Sequence, residues 1–366
     1  MTLRSPLHER TTRAGARFGI VADWEMPSDF GDALSEYRQL VAAASIIDCS
    51  NRGKLELVGP DAPSFLHNLC TNDILNLPLG GGCEAFFCTA TAKVVDFAWI
   101  FHLRVAGEQD ALWIDVAPGR GEILREHLER FHIAEQFEVI DRTRDFAQIH
   151  LAGPNAATVL ATAIDAPVPE LQPLQHMERT IGARGTCSIR RNDLLGVPGF
   201  DLVCRNERAA EVWDALRAAG AGPAGATAFE WLRVEAGTPI VGIDVDEARF
   251  VLEVGRAHAV SFNKGCYLGQ EPIVMARDRA GHVNRTLRGL RLEDGPAVAP
   301  KSRVVSESGQ DVGTTTSSAI SPRFGPIALA YVRRGHEAPG TRLRIDHAGG
   351  RMAEVVALPF TESPTP

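Results

Sequence analysis

Apolar residues recur at helical spacing between Asp32 and Ala44, where Leu34, Tyr37, Leu40, Val41 and Ala44 share a face; the pattern predicts an amphipathic helix. The period then shortens. Ile46-Ile47-Asp48-Cys49 and Lys54-Leu55-Glu56-Leu57-Val58 read as strands. Gly59-Pro60-Asp61-Ala62 is a turn opening a short helix over 62–69. Gly80-Gly81-Gly82 predicts a hinge or turn, Phe86-Phe87-Cys88 and 94–101 predict strands, and 119–131 predicts a second amphipathic helix. Another strand, Gln148-Ile149-His150-Leu151, leads to Gly153-Pro154-Asn155-Ala156 and a further helix. Both Gly-Pro-polar-Ala turns sit in the same strand–turn–helix setting, a short internal repeat that predicts two related α+β units. Beyond about residue 285 the texture becomes all-β. Arg288 to Leu292 alternates, 313–318 is rich in Thr and Ser, 327–332 is apolar, and Gly or Pro turns separate the runs. Residues 361–366 are expected to form a loose tail.

Composition narrows the class. A chain of 366 residues, 45% hydrophobic and 23% charged, has room for two or three domains and a large core. Its formal net charge of -8 argues against nucleic acid as the main partner. One local exception stands out: Arg277, Arg279, Arg285, Arg288 and Arg291 are accompanied between 277 and 291 by a single acid, Asp278. A basic patch on an acidic protein suits a small anionic ligand. Seven scattered cysteines with no C-x-x-C pair argue against a disulfide framework or a structural zinc site, and no H-x-x-x-H pair suggests another metal. No apolar run approaches a membrane span, and no secretory signal opens the chain, so a cytoplasmic protein with reduced thiols is expected.

The most distinctive segment is Lys264-Gly265-Cys266-Tyr267-Leu268-Gly269-Gln270-Glu271. Two glycines let the backbone turn tightly around Cys266, and Lys264 with the arginines that follow would favour a thiolate there. Cys266 reads either as a nucleophile or transient metal ligand, or as a small buried residue. Gln270 and Glu271 read as hydrogen-bonding supports of the loop.

Several blocks together carry a resemblance. They are Pro6-Leu7-His8, Asp23-Trp24-Glu25-Met26-Pro27, Asp48-Cys49-Ser50, Phe65 to Ile74, Gly196-Val197-Pro198-Gly199-Phe200-Asp201, and Leu232-Arg233-Val234-Glu235-Ala236-Gly237-Thr238-Pro239 followed by Gly242-Ile243-Asp244. In this order and spacing the chain resembles the glycine-cleavage T-protein (aminomethyltransferase) superfamily of folate-binding proteins across nearly its full length. The 264–271 octet is similar to a sub-branch, the YgfZ-type proteins associated with iron–sulfur cluster assembly or repair.

The resemblance implies an α+β fold: a three-domain cloverleaf around a central folate pocket, with a C-terminal β-barrel. Residues 1–50 would pack with 146–285, 51–145 would form an inserted domain, and 286–366 the barrel. Tetrahydrofolate is the implied cofactor. Asp201 would accept the paired ring N–H and exocyclic amine of the pterin; alone it reads as a strand-end aspartate. Arg233 would face the folate, or else belong to a structural Arg–carboxylate pair. Arg277, Arg279 and Arg285 would meet the folate's glutamate tail, or form a solvated face. Asp96 is the candidate catalytic carboxylate. The family has two consecutive acids there, and this chain has Asp96-Phe97, which strand alternation sends to opposite faces. Two functions follow from the resemblance: folate binding in support of iron–sulfur assembly, with Cys266 on a surface loop, or one-carbon transfer to tetrahydrofolate. The implied partners are iron–sulfur assembly proteins in the first case and a lipoyl carrier protein in the second.

Overall fold

The structure is a computed structural model that describes residues 2–105, 109–182, 186–346 and 350–362. The chain packs as two compact units. One comprises Met1–Phe87, Val95–Phe229 and Ala259–Tyr267; the other comprises Cys88–Val94, Glu230–His258 and Leu268–Pro366.

In the first unit a six-stranded sheet runs in the order His176–Thr180, Thr186–Arg191, Gly199–Arg205, Phe146–Ala152, Ser45–Asp48, Gly222–Pro223. Strand Phe146–Ala152 shows how its faces differ. Ala147, Ile149 and Leu151 point to a core shared with helices Ala156–Ile164 and Asn206–Ala218, where Val159, Leu160, Val212, Trp213 and Leu216 pack. The alternate residues Gln148 and His150 are also buried, on the opposite face, in register with Val203 and Asp201. That second face is therefore both polar and enclosed.

The same unit holds a five-stranded sheet ordered Gly82–Cys88, Val94–Val105, Gln109–Val116, Gly53–Val58, Glu138–Asp141. The two sheets, placed in separate domains by the resemblance, thus lie in one unit. The expected repeat is visible in the backbone. Gly59 and Gly153 both take positive φ (145° and 129°), each just before a helix, Ala62–Leu69 or Ala156–Ile164. At Gly59 a Cβ would lie 2.4 Å from the Gln136 carbonyl oxygen, and at Gly153 2.4 Å from that of Ala43, so both turns require glycine. The helix expected over 32–44 spans Ala33–Ala42, and Asp32 caps it by accepting from the Leu34 and Ser35 N–H groups. A small sheet of strands Leu3–Arg4, Arg17–Val21 and Trp24–Asp29 has no counterpart in the periodicity.

The second unit contains a closed barrel ordered Arg285–Leu292, Gly325–Arg333, Asp311–Ser321, Arg303–Val305, Arg342–Asp346, Arg351–Val356. In strand Gly325–Arg333 the run 326–332 is buried and almost wholly apolar because both its faces are covered. Ala328, Ala330 and Val332 fill one cluster with Leu290 and Val355; Ile327, Leu329 and Tyr331 fill another with Val234 and Phe360. Of the expected tail, 363–366 lies outside the described residues. No helix among the described residues is long and apolar enough to cross a membrane.

Candidate functional site

Asp201 occupies the centre of the polar sheet face. It is 3% exposed and lies inside strand Gly199–Arg205, paired with His150, so it is not a strand-end residue. Its Oδ1 lies 2.9 Å from His150 Nδ1 across the ladder, and its Oδ2 accepts from Asn192 Nδ2 at 2.7 Å. Burial pushes the Asp201 pKa up, yet the adjacent His150 imidazole, the Asn192 amide and the Arg52 charge together hold it below the ordinary carboxylate value. Gly199, two residues earlier, is glycine for a visible reason. A Cβ there would stand 3.0 Å from the His150 ring and 2.5 Å from the Asn192 carbonyl oxygen.

The five-stranded sheet contributes an aromatic face. Phe97 packs on Phe86 (ring centroids 4.8 Å) and beside Trp99 (6.2 Å). Trp99 pairs in register with Asp115, whose Oδ2 accepts from Arg190 Nη1 at 2.9 Å. The Arg190 guanidinium lies 4.3 Å from the Phe101 ring centroid and belongs to the six-stranded sheet, so this face and the polar one meet. Between the sheets runs the turn Cys49 to Arg52, and its guanidinium sits 4.1 Å over the Trp99 ring.

Asp96 lies elsewhere. By strand alternation it points opposite to Phe97 and Trp99, and its Oδ2 accepts from Arg120 Nε at 3.1 Å at the start of helix Gly121–Glu129. No part of it is exposed. Burial raises its pKa to about 6 against the opposing Arg120 charge. The residue on the Trp99 side is therefore Phe97, not a carboxylate.

The remaining sequence candidates are dispersed. Arg233 is fully buried in the second unit. Its Nη1 donates to Asp244 (2.7 Å), its Nε to Glu230 (2.7 Å) and its Nη2 to Ser317 Oγ (2.5 Å). This is the structural Arg–carboxylate pair, and every guanidinium nitrogen is engaged by protein. Glu235 points another way and accepts from Ser321 Oγ. Arg277 and Arg279 lie on an exposed π-helical turn, Met275–Ala280, where Arg277 pairs with its neighbour Asp278. Arg285 lines a cleft on the barrel with Arg333, Arg334 and Glu337.

Cys266 is the one exposed cysteine of the seven. Lys264, however, does not accompany it outward. Its ammonium is buried and donates to the carbonyls of His67, Cys70 (2.8 Å) and Asn72 (2.7 Å), closing the C-terminal end of helix Ala62–Leu69. The expectation that Lys264 would favour a Cys266 thiolate is corrected by this inward turn. Lys264→Met should cost about 2–3 kcal/mol, because the charge-assisted bonds to the His67, Cys70 and Asn72 carbonyls disappear. Urea unfolding checks this, and an unchanged midpoint would sink the capping role.

Two family descriptions match the chain: the GCVT N-terminal domain over residues 7–264 and the glycine cleavage T-protein C-terminal barrel domain over 285–362. The chain belongs to the glycine-cleavage T-protein family. Among its relatives, an aminomethyltransferase of Saccharopolyspora erythraea is 30% identical, over 98% of this chain and 97% of the relative. One of Symbiobacterium thermophilum is 31% identical, over 99% and 98%. The fold agrees with the crystal structure of glycine cleavage system aminomethyltransferase T from Bartonella henselae (TM-score 0.88, 24% identity, 99% of each chain covered). Within this T-protein family member, His150, Asn192 and Arg52 stand around the polar face without having been singled out from the sequence, and Arg52 is the one that a local pattern marks. Its signal was present: a polar run, Asp48 to Lys54, joining two apolar strands.

Proposed function

We propose that the chain transfers a one-carbon group to tetrahydrofolate, as an enzyme of the aminomethyltransferase type. The observation that carries this is Asp201, an ionised carboxylate enclosed on a polar sheet face in a chain aligned along its length with aminomethyltransferases. The donor set fits a pterin. Each Asp201 oxygen accepts one bond in this structure and has a further lone pair for a ring N–H or an exocyclic amine. Tetrahydrofolate, when bound, supplies the nitrogens that receive the one-carbon unit. His150 and Asn192 orient the Asp201 carboxylate, and the aromatic wall of Phe97, Trp99 and Phe101 offers apolar surface that excludes water. With Phe97 on that wall, no carboxylate at position 97 is available for proton handling. Asp96 is left out of the transfer step because it stands behind the wall. Arg233 belongs to the buried ion-pair cluster of the second unit, and Arg277 and Arg279 lie on an exposed turn of that same unit.

The test is single-turnover mixing with tetrahydrofolate and an aminomethyl-loaded lipoyl carrier, following methylenetetrahydrofolate. Product formation supports the reading; tight folate binding without product excludes this donor. Asp201→Asn should weaken tetrahydrofolate binding about 10- to 100-fold, the value of a charged hydrogen bond. Calorimetric titration reads it, and an unchanged affinity removes Asp201 from the pterin site.

The exposure of Cys266 favours a second reading, folate binding in support of iron–sulfur assembly, in which the thiol is presented to a partner. A single cysteine does not hold a stable four-thiolate cluster alone. The readings separate on Cys266→Ala, which abolishes this second activity and leaves transfer to tetrahydrofolate intact.

A further inference from the structure

Residues 44–57 are buried without interruption although they include Asp48, Ser50, Asn51, Arg52, Lys54 and Glu56. Most of these polar groups are satisfied in visible ways. Asp48 Oδ1 accepts from the Ser50 N–H (3.0 Å), and Ser50 Oγ accepts from the Gln148 N–H (3.2 Å). Lys54 Nζ donates to the Ser50 and Arg52 carbonyls at 3.0 and 2.8 Å. Glu56 takes the Arg142 guanidinium at 2.6 Å.

Arg52 is the exception. It is 9% exposed, and its Nε is shielded from solvent with no acceptor in reach. Among the described residues its guanidinium makes no hydrogen bond and no ion pair; its close companion is the Trp99 ring. Asp201 and Asp96 feel its charge, but neither carboxylate contacts it. An Nε–H shut off from water with no acceptor is costly, and stacking on an aromatic face offsets only part of that cost. The backbone around it is nonetheless fixed: Arg52 N–H donates to the Cys49 carbonyl, and Lys54 grips the Arg52 carbonyl. The side chain is therefore held over Trp99 with no hydrogen-bonding partner among the described residues.

We infer that Arg52 is a carboxylate-binding residue: the planar guanidinium, stacked on Trp99 beside the Asp201 face, takes the carboxylate of a small ligand. A planar fork of N–H donors matches a carboxylate bidentately, and the buried surroundings strengthen that pairing. Two sources share the chemistry, a small amino-acid-like one-carbon donor and the glutamate of tetrahydrofolate. This choice of source rests on the folate reading above, whereas the carboxylate site itself does not.

The experiment compares the full chain with Arg52→Met, which keeps an apolar stem over Trp99 but removes the charge, and with Arg52→Lys, which keeps the charge but loses the fork. Calorimetric titrations use three probes: N,N-dimethylglycine, tetrahydrofolate, and 6-methyltetrahydropterin, which has the pterin ring without glutamate. At least a tenfold loss for a carboxylate probe is expected in Arg52→Met, with partial recovery in Arg52→Lys. Loss confined to dimethylglycine identifies the donor as the source. Loss for tetrahydrofolate but not for 6-methyltetrahydropterin identifies the glutamate. Unchanged affinities for all three, an equal loss for 6-methyltetrahydropterin, or failure of the parent chain to bind either carboxylate probe overturns the inference. A parent chain that binds dimethylglycine through Arg52 but binds neither folate nor pterin refutes the proposed function alone. Thermal melting controls for folding, and should Arg52→Met unfold, the same losses are required of Arg52→Lys.

Discussion

Arg233→Ala is expected to destabilise the protein by about 3–5 kcal/mol, the usual cost of stranding one member of a buried ion pair. Asp244 would be the stranded group. Its two oxygens accept from Arg233, the Ile240 N–H, Thr316 Oγ1 and Ser317 Oγ, and Arg233 is the single cation in that set. The guanidinium also ties the end of helix Ala226–Ala236 to the barrel strand Asp311–Ser321 through Ser317. Urea unfolding of Arg233→Ala measures the loss. The double variant Arg233→Met/Asp244→Leu separates lost attraction from stranded charge, since removing both charges should restore much of the stability. A single variant as stable as the parent chain would show that the cluster contributes nothing.

A second large effect is expected at Asp96, and its sign is opposite to that of an ordinary salt-bridged aspartate. Burial, only partly opposed by Arg120, holds the folded carboxyl near 6 against an ordinary 3.8. Below pH 4 both folded and unfolded forms are protonated, and the contribution is fully present. Between about pH 4 and 6 the folded chain keeps a proton that the unfolded chain has released, so rising pH favours unfolding. The unfolding free energy of the parent chain, relative to non-titrating Asp96→Asn, should therefore fall by about 3 kcal/mol between pH 3.5 and 7. Denaturant titrations at several pH values give the slope, and a flat difference would refute the raised pKa. Because Asp96 stands behind the aromatic wall, the same variant should keep its single-turnover transfer rate within tenfold. A loss of 100-fold or more would place Asp96 in the chemistry after all.

Local signals were readable where a local cause acts. The helix after Asp32 and the two Gly-Pro turns depend on neighbours in sequence. The apolar barrel strands were also legible as strands, since both faces are covered and little alternation is left to misread. Side-chain destinations were not legible. Lys264 reads as a surface charge beside a cysteine, yet its partners lie 192 to 197 residues earlier in the chain. Arg52 lies in a polar run that resembles a solvated turn, and only the meeting of two sheets encloses it. The site itself was half visible. Asp201 could be named from the motif, but His150 and Asn192 come to it through strand pairing and the adjoining turn, which periodicity does not encode. For Asp96 and Phe97 alternation correctly predicted opposite faces, and only the packed structure shows which face the second sheet covers.

The first unit is completed by Ala259–Tyr267, a segment delivered long after the rest of it. During synthesis the six-stranded sheet can assemble once residue 223 has left the ribosome, but the carbonyls at the end of helix Ala62–Leu69 wait for Lys264. At about 5–20 residues per second the interval lasts a few seconds. For that time a nearly finished unit is exposed with one helix end unsealed, so its yield in cells depends on elongation rate and on chaperones that cover it, as well as on the stability of the finished fold.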